Sequence, residues 1–278
     1  MRLAISNIAW DTVEDEAVAA LLQRYGVDAI DVAPGKYFAD PCKASDEDIA
    51  RVKTWWADRG IELTGMQALL FGTSGLNVFG TPESQDAMLR HLAAVCRIGA
   101  GLGSKRIVFG SPKNRDRSGL NDQETMAIAV SFFRRLGDIA HSHGVVICLE
   151  PNPTCYGANF MTSSRETLEV VRQVGHRSIG MQLDTGALAI NGEDPWIVLE
   201  HCASHVCHVH ASEPDLLPLG DGGGDHAKAA AAMKKYLPDH VVSIEMLATK
   251  NEAHVASIER ALHVAIRYYR NESVEVHE

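Results

Sequence analysis

The sequence predicts an α/β protein, a closed (β/α)8 barrel (TIM barrel) that forms a single domain over residues 1–278. Three observations support this prediction. Strand-like apolar segments alternate with amphipathic helix-like segments eight times, short connections join them, and the length is close to the roughly 250 residues that such a barrel uses. A doubly wound open sheet is the alternative, but the first strand–helix junction has no GxGxxG fingerprint, which weakens a dinucleotide-binding form of that fold.

The first half of the chain contains four predicted strand–helix pairs. The strands are LAISNIAW (3–10), DAIDVA (28–33), IELTGMQAL (61–69) and RIVFGS (106–111). The helices between them have recognisable ends, since small polar residues cap their starts and glycine stops them. The first helix ends at Gly26, the second runs from Ser45 to Gly60, the third starts at Thr81-Pro82, and the fourth starts at Asn121 or Asp122.

Each of the next four predicted strands has one metal-capable side chain at its end. They are VVICLEPNP with Glu150, IGMQLDTG with Asp184, HVCHVHASEP with His210 and VVSIEML with Glu245. The gaps are 34, 26 and 35 residues (184−150, 210−184, 245−210), about one strand plus one crossover helix each. Helices are expected near 163–175, 194–203, 225–237 and 252–270. Because parallel strands end together in a barrel, the four side chains are predicted to converge.

Three carboxylates and one imidazole form a donor set that suits a divalent cation. Alone, a glutamate at a strand end or a histidine in a strand usually has a structural role. Four such residues at regular spacing favour a shared site. Mostly oxygen donors favour Mn²⁺, Mg²⁺ or Co²⁺ over a structural Zn²⁺. Side-chain alternation places Cys148, Gln182, His208 and Ser243 one layer below these residues, and we expect His208 and Gln182 to support the site.

Candidate substrate contacts come from the loops that follow the strands. FGSPKNRDR places Lys113, Arg115 and Arg117 where they could bind a phosphate or carboxylate, although a solvated basic loop explains them equally well. Tyr156 and Phe160 could cover a sugar or simply pack locally. Trp10 and Gln67 are further wall candidates. The stretch GDGGGDH (220–226) predicts a loop before a helix that Asp225 caps, and it lacks the Lys-Ser/Thr of a phosphate-binding loop.

Composition narrows the functional classes. A formal net charge of −10 opposes nonspecific binding to nucleic acids or membrane surfaces. The sequence contains no apolar run of about 18 residues and no signal peptide, so no membrane association is expected. Six cysteines without CxxC spacing predict buried, reduced thiols and a cytoplasmic protein.

The segments LEPNP, LDTGAL, HVHASEP and SIEM, in this order and spacing, resemble the xylose isomerase-like barrels of the sugar phosphate isomerase/epimerase family. D-tagatose/D-psicose 3-epimerases, hydroxypyruvate isomerase, inosose dehydratase and apurinic endonucleases are relatives. The resemblance covers essentially the whole chain. It implies a divalent ion, Mn²⁺ first and Mg²⁺, Co²⁺ or Zn²⁺ otherwise, bound by Glu150, Asp184, His210 and Glu245. It also implies that the two glutamates are the acid/base pair, that the substrate is a small carbohydrate, and that a homodimer or homotetramer forms.

The sequence departs from the ketohexose epimerases at three positions that contact the sugar there. Ala187 replaces a histidine, Tyr156 replaces a glutamate and Leu216 replaces an arginine. We therefore expect an intact metal and proton-transfer centre with a substrate other than a free ketohexose.

The sequence leaves four functions to consider, of which two are favoured. The first is a metal-dependent sugar or sugar-phosphate isomerase/epimerase that works through an enediolate. The second is a metal-dependent dehydratase or lyase acting on a keto-polyol or keto-glycoside. An apurinic endonuclease is disfavoured because the first two strands end without histidine and the net charge opposes DNA binding. A non-catalytic barrel is disfavoured because all four candidate ligands are retained.

Overall fold

The structure, a computed structural model, describes residues 1–270. Eight parallel strands close into one barrel in chain order, and β1 pairs with both β2 and β8. The strands are β1 Leu3–Ser6, β2 Ala29–Val32, β3 Glu62–Met66, β4 Arg106–Phe109, β5 Val146–Leu149, β6 Ile179–Asp184, β7 Val206–Ser212 and β8 Val242–Glu245. The predicted (β/α)8 barrel is confirmed. The last eight residues of the predicted domain, 271–278, lie outside the described residues.

Helices cover the outside of the barrel between successive strands. They are α1 Asp15–Arg24, α2 Asp46–Ala57, α3 Pro82–Leu102, α4 Asp122–Ser142, α5 Ser164–Val174, α6 Thr185–Asn191, α7 Pro195–Cys202, α8 His226–Tyr236 and α9 His254–Ala265. The predicted caps at Ser45, Thr81, Asn121 and Asp225 each accept a backbone hydrogen bond. Within residues 1–270, no helix is long and apolar enough to cross a membrane.

Two element ends illustrate how the structure differs from the sequence prediction. The first strand ends at Ser6 rather than at residue 10, because the Ser6 hydroxyl accepts a hydrogen bond from the Ile8 amide and starts a 3-10 turn over Asn7–Ala9. The last α-helix stops at Ala265, and a π-helical turn follows over Ile266–Arg270. The two differences show that an apolar pattern indicates which element forms more reliably than where it ends.

The main apolar core lies between the strands and the helices, whereas the barrel interior carries polar side chains. Phe109 of β4 packs outward against Phe133 of α4, with ring centroids 5.4 Å apart. On the inner face, Gln182 of β6 lies opposite His208 of β7, and both side chains are buried. Alternation along each strand therefore separates an apolar outer layer from a polar inner one that leads to the carboxyl end of the barrel.

Candidate metal and active site

The four predicted ligand residues meet at the carboxyl end of the barrel. Glu150 follows β5, Asp184 and Glu245 end β6 and β8, and His210 lies in β7. Each offers a donor atom, and these atoms all lie within 4.8 Å of one another. His210 Nδ1 is 3.2 Å from Glu245 Oε2, 3.8 Å from Glu150 Oε1 and 4.0 Å from Asp184 Oδ2. His210 is fully buried and the three acids are at most 9% exposed.

The electrostatics of this cluster fit a divalent cation. Burial, followed by repulsion from Glu245 and Glu150, raises the pKa of Asp184 to about 8. Burial lowers the pKa of His210, but the carboxylates around it, led by Glu245, raise it well above the ordinary value. Neither ring nitrogen of His210 makes a hydrogen bond within residues 1–270. Three crowded carboxylates and an imidazole without hydrogen bonds are the arrangement that a bound cation would neutralise and coordinate.

Asp184 has a second role in the fold. Its Oδ1 accepts a hydrogen bond of 2.6 Å from the Ala187 amide and so caps α6, a helix that the sequence pattern did not predict. The Ser212 hydroxyl is 2.8 Å from each oxygen of the same carboxylate. The orientation of Asp184 is therefore fixed by its own chain and by β7.

A buried aspartate that sequence reasoning missed lies beneath the cluster. Asp31 of β2 has its Oδ2 2.8 Å from His208 Nε2 and 3.8 Å from His210 Nε2. The rings of His208 and His210 meet edge to face, with centroids 4.9 Å apart. A carboxylate behind a histidine typically orients that histidine toward a metal. The segment DAIDVA (28–33) contains a sequence signal for this residue. Asp31 alternates with Ala29 and Ala33, so it shares their face of the strand, the one that points to the barrel interior.

His208 therefore lies where the sequence predicted support for the site. Gln182 also lies in this layer, fully buried, but neither of its side-chain polar atoms has a hydrogen-bond partner in residues 1–270.

The side chains of this layer pack closely around Gly65. A Cβ at Gly65 of β3 would lie 2.5 Å from Asp31 Oδ1 and 2.9 Å from His208 Cε1. Gly65 thus leaves the space that Asp31 and His208 occupy.

Two of the predicted substrate contacts line the cavity above the cluster. Gln67 donates a hydrogen bond of 2.6 Å from Nε2 to Glu245 Oε1, which holds one oxygen of that carboxylate. Tyr156 lines the cavity, and its hydroxyl accepts a hydrogen bond of 2.8 Å from the Asp215 amide. Tyr156 thereby joins the loop after β5 to the loop after β7.

Two basic residues that were predicted to contact the substrate, Arg115 and Lys113, lie outside the cavity wall. Arg115 is fully buried, donating to the Glu150 carbonyl at 2.7 Å and to Asn152 Oδ1 at 2.6 Å, and burial lowers its pKa to about 10. Asn152 in turn donates to Glu150 Oε2 at 3.2 Å. Arg115 thus supports the backbone and orientation of Glu150 and does not contact the cavity. Lys113 is exposed in the turn Pro112–Asn114 and is not part of the cavity wall.

Two aromatic residues that were expected near the substrate also pack elsewhere. Trp10 is fully buried because its indole N–H donates to Asp15 Oδ1 at 2.7 Å and its ring packs against Trp56. Phe160 is buried against Phe79, with ring centroids 4.9 Å apart, so it does not cover the site. Both aromatic rings serve local packing.

The cavity measures about 710 Å³ and opens at the carboxyl end of the barrel. Glu150, Asp184 and Glu245 belong to its wall, together with Gln67 and Tyr156. A cavity of this size holds a drug-sized ligand and occupies the usual place of an active site in this architecture.

A family model described as xylose isomerase-like TIM barrel matches residues 19–267. The chain belongs to this family. No curated protein matches its sequence. A D-psicose 3-epimerase from Clostridium cellulolyticum H10, solved with D-tagatose, is similar in structure with a TM-score of 0.79 and 17% identity, and the match covers 98% of this chain and 99% of that one.

Other solved structures have the same fold at similarly low identity. An L-ribulose 3-epimerase has a TM-score of 0.77 and 18% identity over 97% of this chain and 92% of that one. A 3-keto-D-glucoside 4-epimerase from E. coli, in its apo form, has a TM-score of 0.76 and 15% identity over 94% and 98% of the two chains. At such low sequence identity, structural similarity establishes the barrel fold but not the reaction, which depends on the residues of the site.

Proposed function

We propose that this protein is a divalent-metal-dependent sugar isomerase or epimerase in which Glu150 and Glu245 exchange protons with the substrate carbon. The observation that carries the proposal is the buried cluster of three carboxylates and His210 at the carboxyl end of the barrel. The similar structures include epimerases of D-psicose, L-ribulose and a 3-keto-D-glucoside, which agrees with this reaction class.

Glu150, Asp184, His210 and Glu245 would hold the ion, with Mn²⁺ the first candidate and Mg²⁺ or Co²⁺ next. When bound, the ion supplies Lewis acidity that makes the carbon next to a carbonyl more acidic. Asp31, behind His208 and His210, would keep the imidazole of His210 directed at this point.

The surroundings of Glu245 favour its ionised form, which can accept a proton. Burial raises its pKa, but the nearby charge of His210 and the hydrogen bond from Gln67 lower it below the ordinary value. Glu245 is therefore ionised at neutral pH, and Gln67 occupies only Oε1. One glutamate, as a carboxylate, removes the proton next to the carbonyl to give an enediolate, and the other, as a carboxylic acid, returns a proton to the opposite face or to the neighbouring carbon. In the second case the proton of the adjacent hydroxyl also passes to the former carbonyl oxygen. Return to the opposite face is epimerisation, and return to the neighbouring carbon is isomerisation.

The proposal is tested with ketoses, keto-polyols and their phosphates in D2O with added Mn²⁺, followed by product NMR. Deuterium at the carbon next to the carbonyl, with a changed configuration or a moved carbonyl, is the expected result. A 3-deoxy or unsaturated product would instead identify the dehydratase or lyase alternative.

Two variants and a control assign the roles. Glu150→Gln and Glu245→Gln are expected to abolish turnover with an unchanged circular dichroism spectrum, because a neutral amide cannot accept the proton. Glu200→Gln, on the exposed face of α7, is the matched control and should keep full activity. Substantial turnover in either cluster variant would contradict the two-glutamate mechanism, as would full activity of a metal-stripped sample.

A further inference from the structure

The cavity wall offers no free cation for a phosphate group. Among the described residues that line it, Lys36 is the one basic side chain. Its ammonium group donates a hydrogen bond to the Trp10 carbonyl, and the nearby carboxylates of Asp11, Asp15 and Glu14 add negative charge around it. With a divalent ion in place, the three carboxylates of the cluster still leave a formal charge of about −1 at the floor of the cavity. A phosphate dianion would therefore be repelled there.

The mouth of the same cavity carries exposed apolar side chains. Phe71 is 86% exposed, Leu247 is 51% exposed, Tyr156 is 37% exposed, and Leu216 is half-buried. We call these four residues the apolar rim. They come from four different loops, those after β3, β5, β7 and β8, and all four line the cavity. Large apolar side chains gathered around one opening are typical of a ligand-binding surface.

The backbone beneath the apolar rim is held in place by the loops themselves. The Leu247 amide donates to the Leu216 carbonyl at 2.9 Å, and the Asp215 amide donates to the Tyr156 hydroxyl at 2.8 Å. Ala68, Asp215 and Leu216 have φ angles of 53°, 59° and 53°, which is the left-handed region that non-glycine residues rarely adopt. All three line the cavity. Strained backbone of this kind persists at ligand-binding sites because the surrounding structure imposes it.

From these features we infer that the substrate is an uncharged sugar with an apolar, preferably aromatic, substituent that lies against the apolar rim. This inference rests on the proposed function. The sugar carbonyl meets the carboxylates at the floor, and the remaining volume of a cavity of about 710 Å³ receives the substituent. The simplest such molecule is a glycoside with an apolar aglycone. Its anomeric carbon is blocked, so the carbonyl must lie at another ring carbon, which makes the substrate a keto-glycoside.

Turnover of three probes tests the inference: a keto-glucoside with a phenyl aglycone, its methyl counterpart, and the 6-phosphate of the methyl compound. With Mn²⁺ present, kcat/KM for solvent-deuterium exchange should be at least about tenfold higher for phenyl than for methyl, the gain expected when apolar groups fill a matching pocket. The phosphate should be the poorest. Phe71→Ser and Leu247→Ser should move the phenyl-to-methyl ratio toward one. Ile197→Ser, 59% exposed on α7 and outside the cavity, is the matched control and should leave the ratio unchanged.

A binding experiment separates failure of this inference from failure of the proposed function. Calorimetry with unoxidised phenyl and methyl β-glucosides measures recognition without turnover, and Phe71→Ser should weaken binding of the phenyl compound selectively. Equal kcat/KM for phenyl and methyl, or a preference for the phosphate, overturns the inference and leaves the epimerase proposal standing. Absence of exchange with these probes and with the ketoses and keto-polyols of the first screen, together with selective phenyl binding, overturns the epimerase proposal only. If Phe71→Ser changes the oligomeric state by light scattering and leaves phenyl binding unchanged, the apolar rim is an interface between copies and the inference is wrong.

Discussion

The position of Glu150 depends on a glycine that directly follows β4. A Cβ at Gly110 would lie 1.8 Å from Glu150 Oε2 and 3.0 Å from its Cδ, whereas ordinary contact begins at about 3.4 Å. In Gly110→Ala the carboxylate oxygen must therefore move by about 1.6 Å (3.4 − 1.8). That movement takes Oε2 away from Asn152 Nδ2, which donates to it at 3.2 Å, and turns the carboxylate whose other oxygen, Oε1, lies 3.8 Å from His210 Nδ1.

A displacement of about 1 Å at a reacting group costs on the order of 10²-fold in rate, or about 2.7 kcal/mol of transition-state stabilisation. We therefore expect Gly110→Ala to lower kcat/KM by at least about that factor and to weaken Mn²⁺ binding measured by calorimetry. Overpacking should lower the free energy of unfolding by about 1–3 kcal/mol, because a side chain rather than the backbone has to move.

Gly35→Ala is the matched control for this experiment. Gly35 lines the same cavity, but a Cβ there would have no heavy atom within 4 Å. This variant should keep the Mn²⁺ affinity and turnover of the parent protein. Wild-type Mn²⁺ affinity and turnover in Gly110→Ala would refute the reasoning, since they would show that Glu150 acts from a different position or not at all.

Three other predictions concern groups around the site. The fully buried Glu213 carboxylate lies 3.0 Å from His226 Nε2 and accepts two backbone hydrogen bonds. Glu213→Ala should therefore lower the free energy of unfolding, measured by urea titration, by about 3–5 kcal/mol. A decrease of less than about 1 kcal/mol would contradict this prediction. Asp31→Asn should weaken Mn²⁺ binding by about 10–100-fold in calorimetry with an unchanged circular dichroism spectrum, and unaltered affinity would show that Asp31 does not orient the ligand histidine. The hydrogen bond with Cys148 lowers the pKa of the Cys207 thiol below its ordinary value. Alkylation of Cys207 by iodoacetamide should therefore have its midpoint at a lower pH than that of an ordinary thiol, and this midpoint should move up in Cys148→Ala. An unchanged midpoint would disprove the coupling.

Much of the fold was predictable from the sequence because it depends on local periodicity. Eight alternations of strand and helix predicted the barrel, and regular spacing predicted that Glu150, Asp184, His210 and Glu245 meet at one end of the sheet. The alternation rule also placed His208 and Gln182 in the layer below. Such inferences need only the period of each element and the rule that parallel strands end together.

The errors concern side-chain contacts that neither periodicity nor spacing predicts. Arg115 looked like a solvent-facing cation because arginine is rarely buried, yet the Glu150 carbonyl and Asn152 satisfy its guanidinium in the interior. Trp10 pairs with Asp15 five residues later, a contact that no spacing rule predicts. The helix α6 was missed because its first-turn cap is Asp184, which was considered only as a metal ligand.

The Asp184 carboxylate joins the start of α6 to the acid cluster. The oxygen that caps α6 belongs to the same side chain that faces the other two acids, so the backbone of the helix fixes the orientation of this carboxylate. In the proposed metal centre, this donor would therefore be positioned by the fold itself. A glutamate at this position would keep the charge but extend the reach by one methylene, which would separate the start of the helix from the donor position. Asp184→Glu would thus conserve the charge at this position but not the location of the carboxylate.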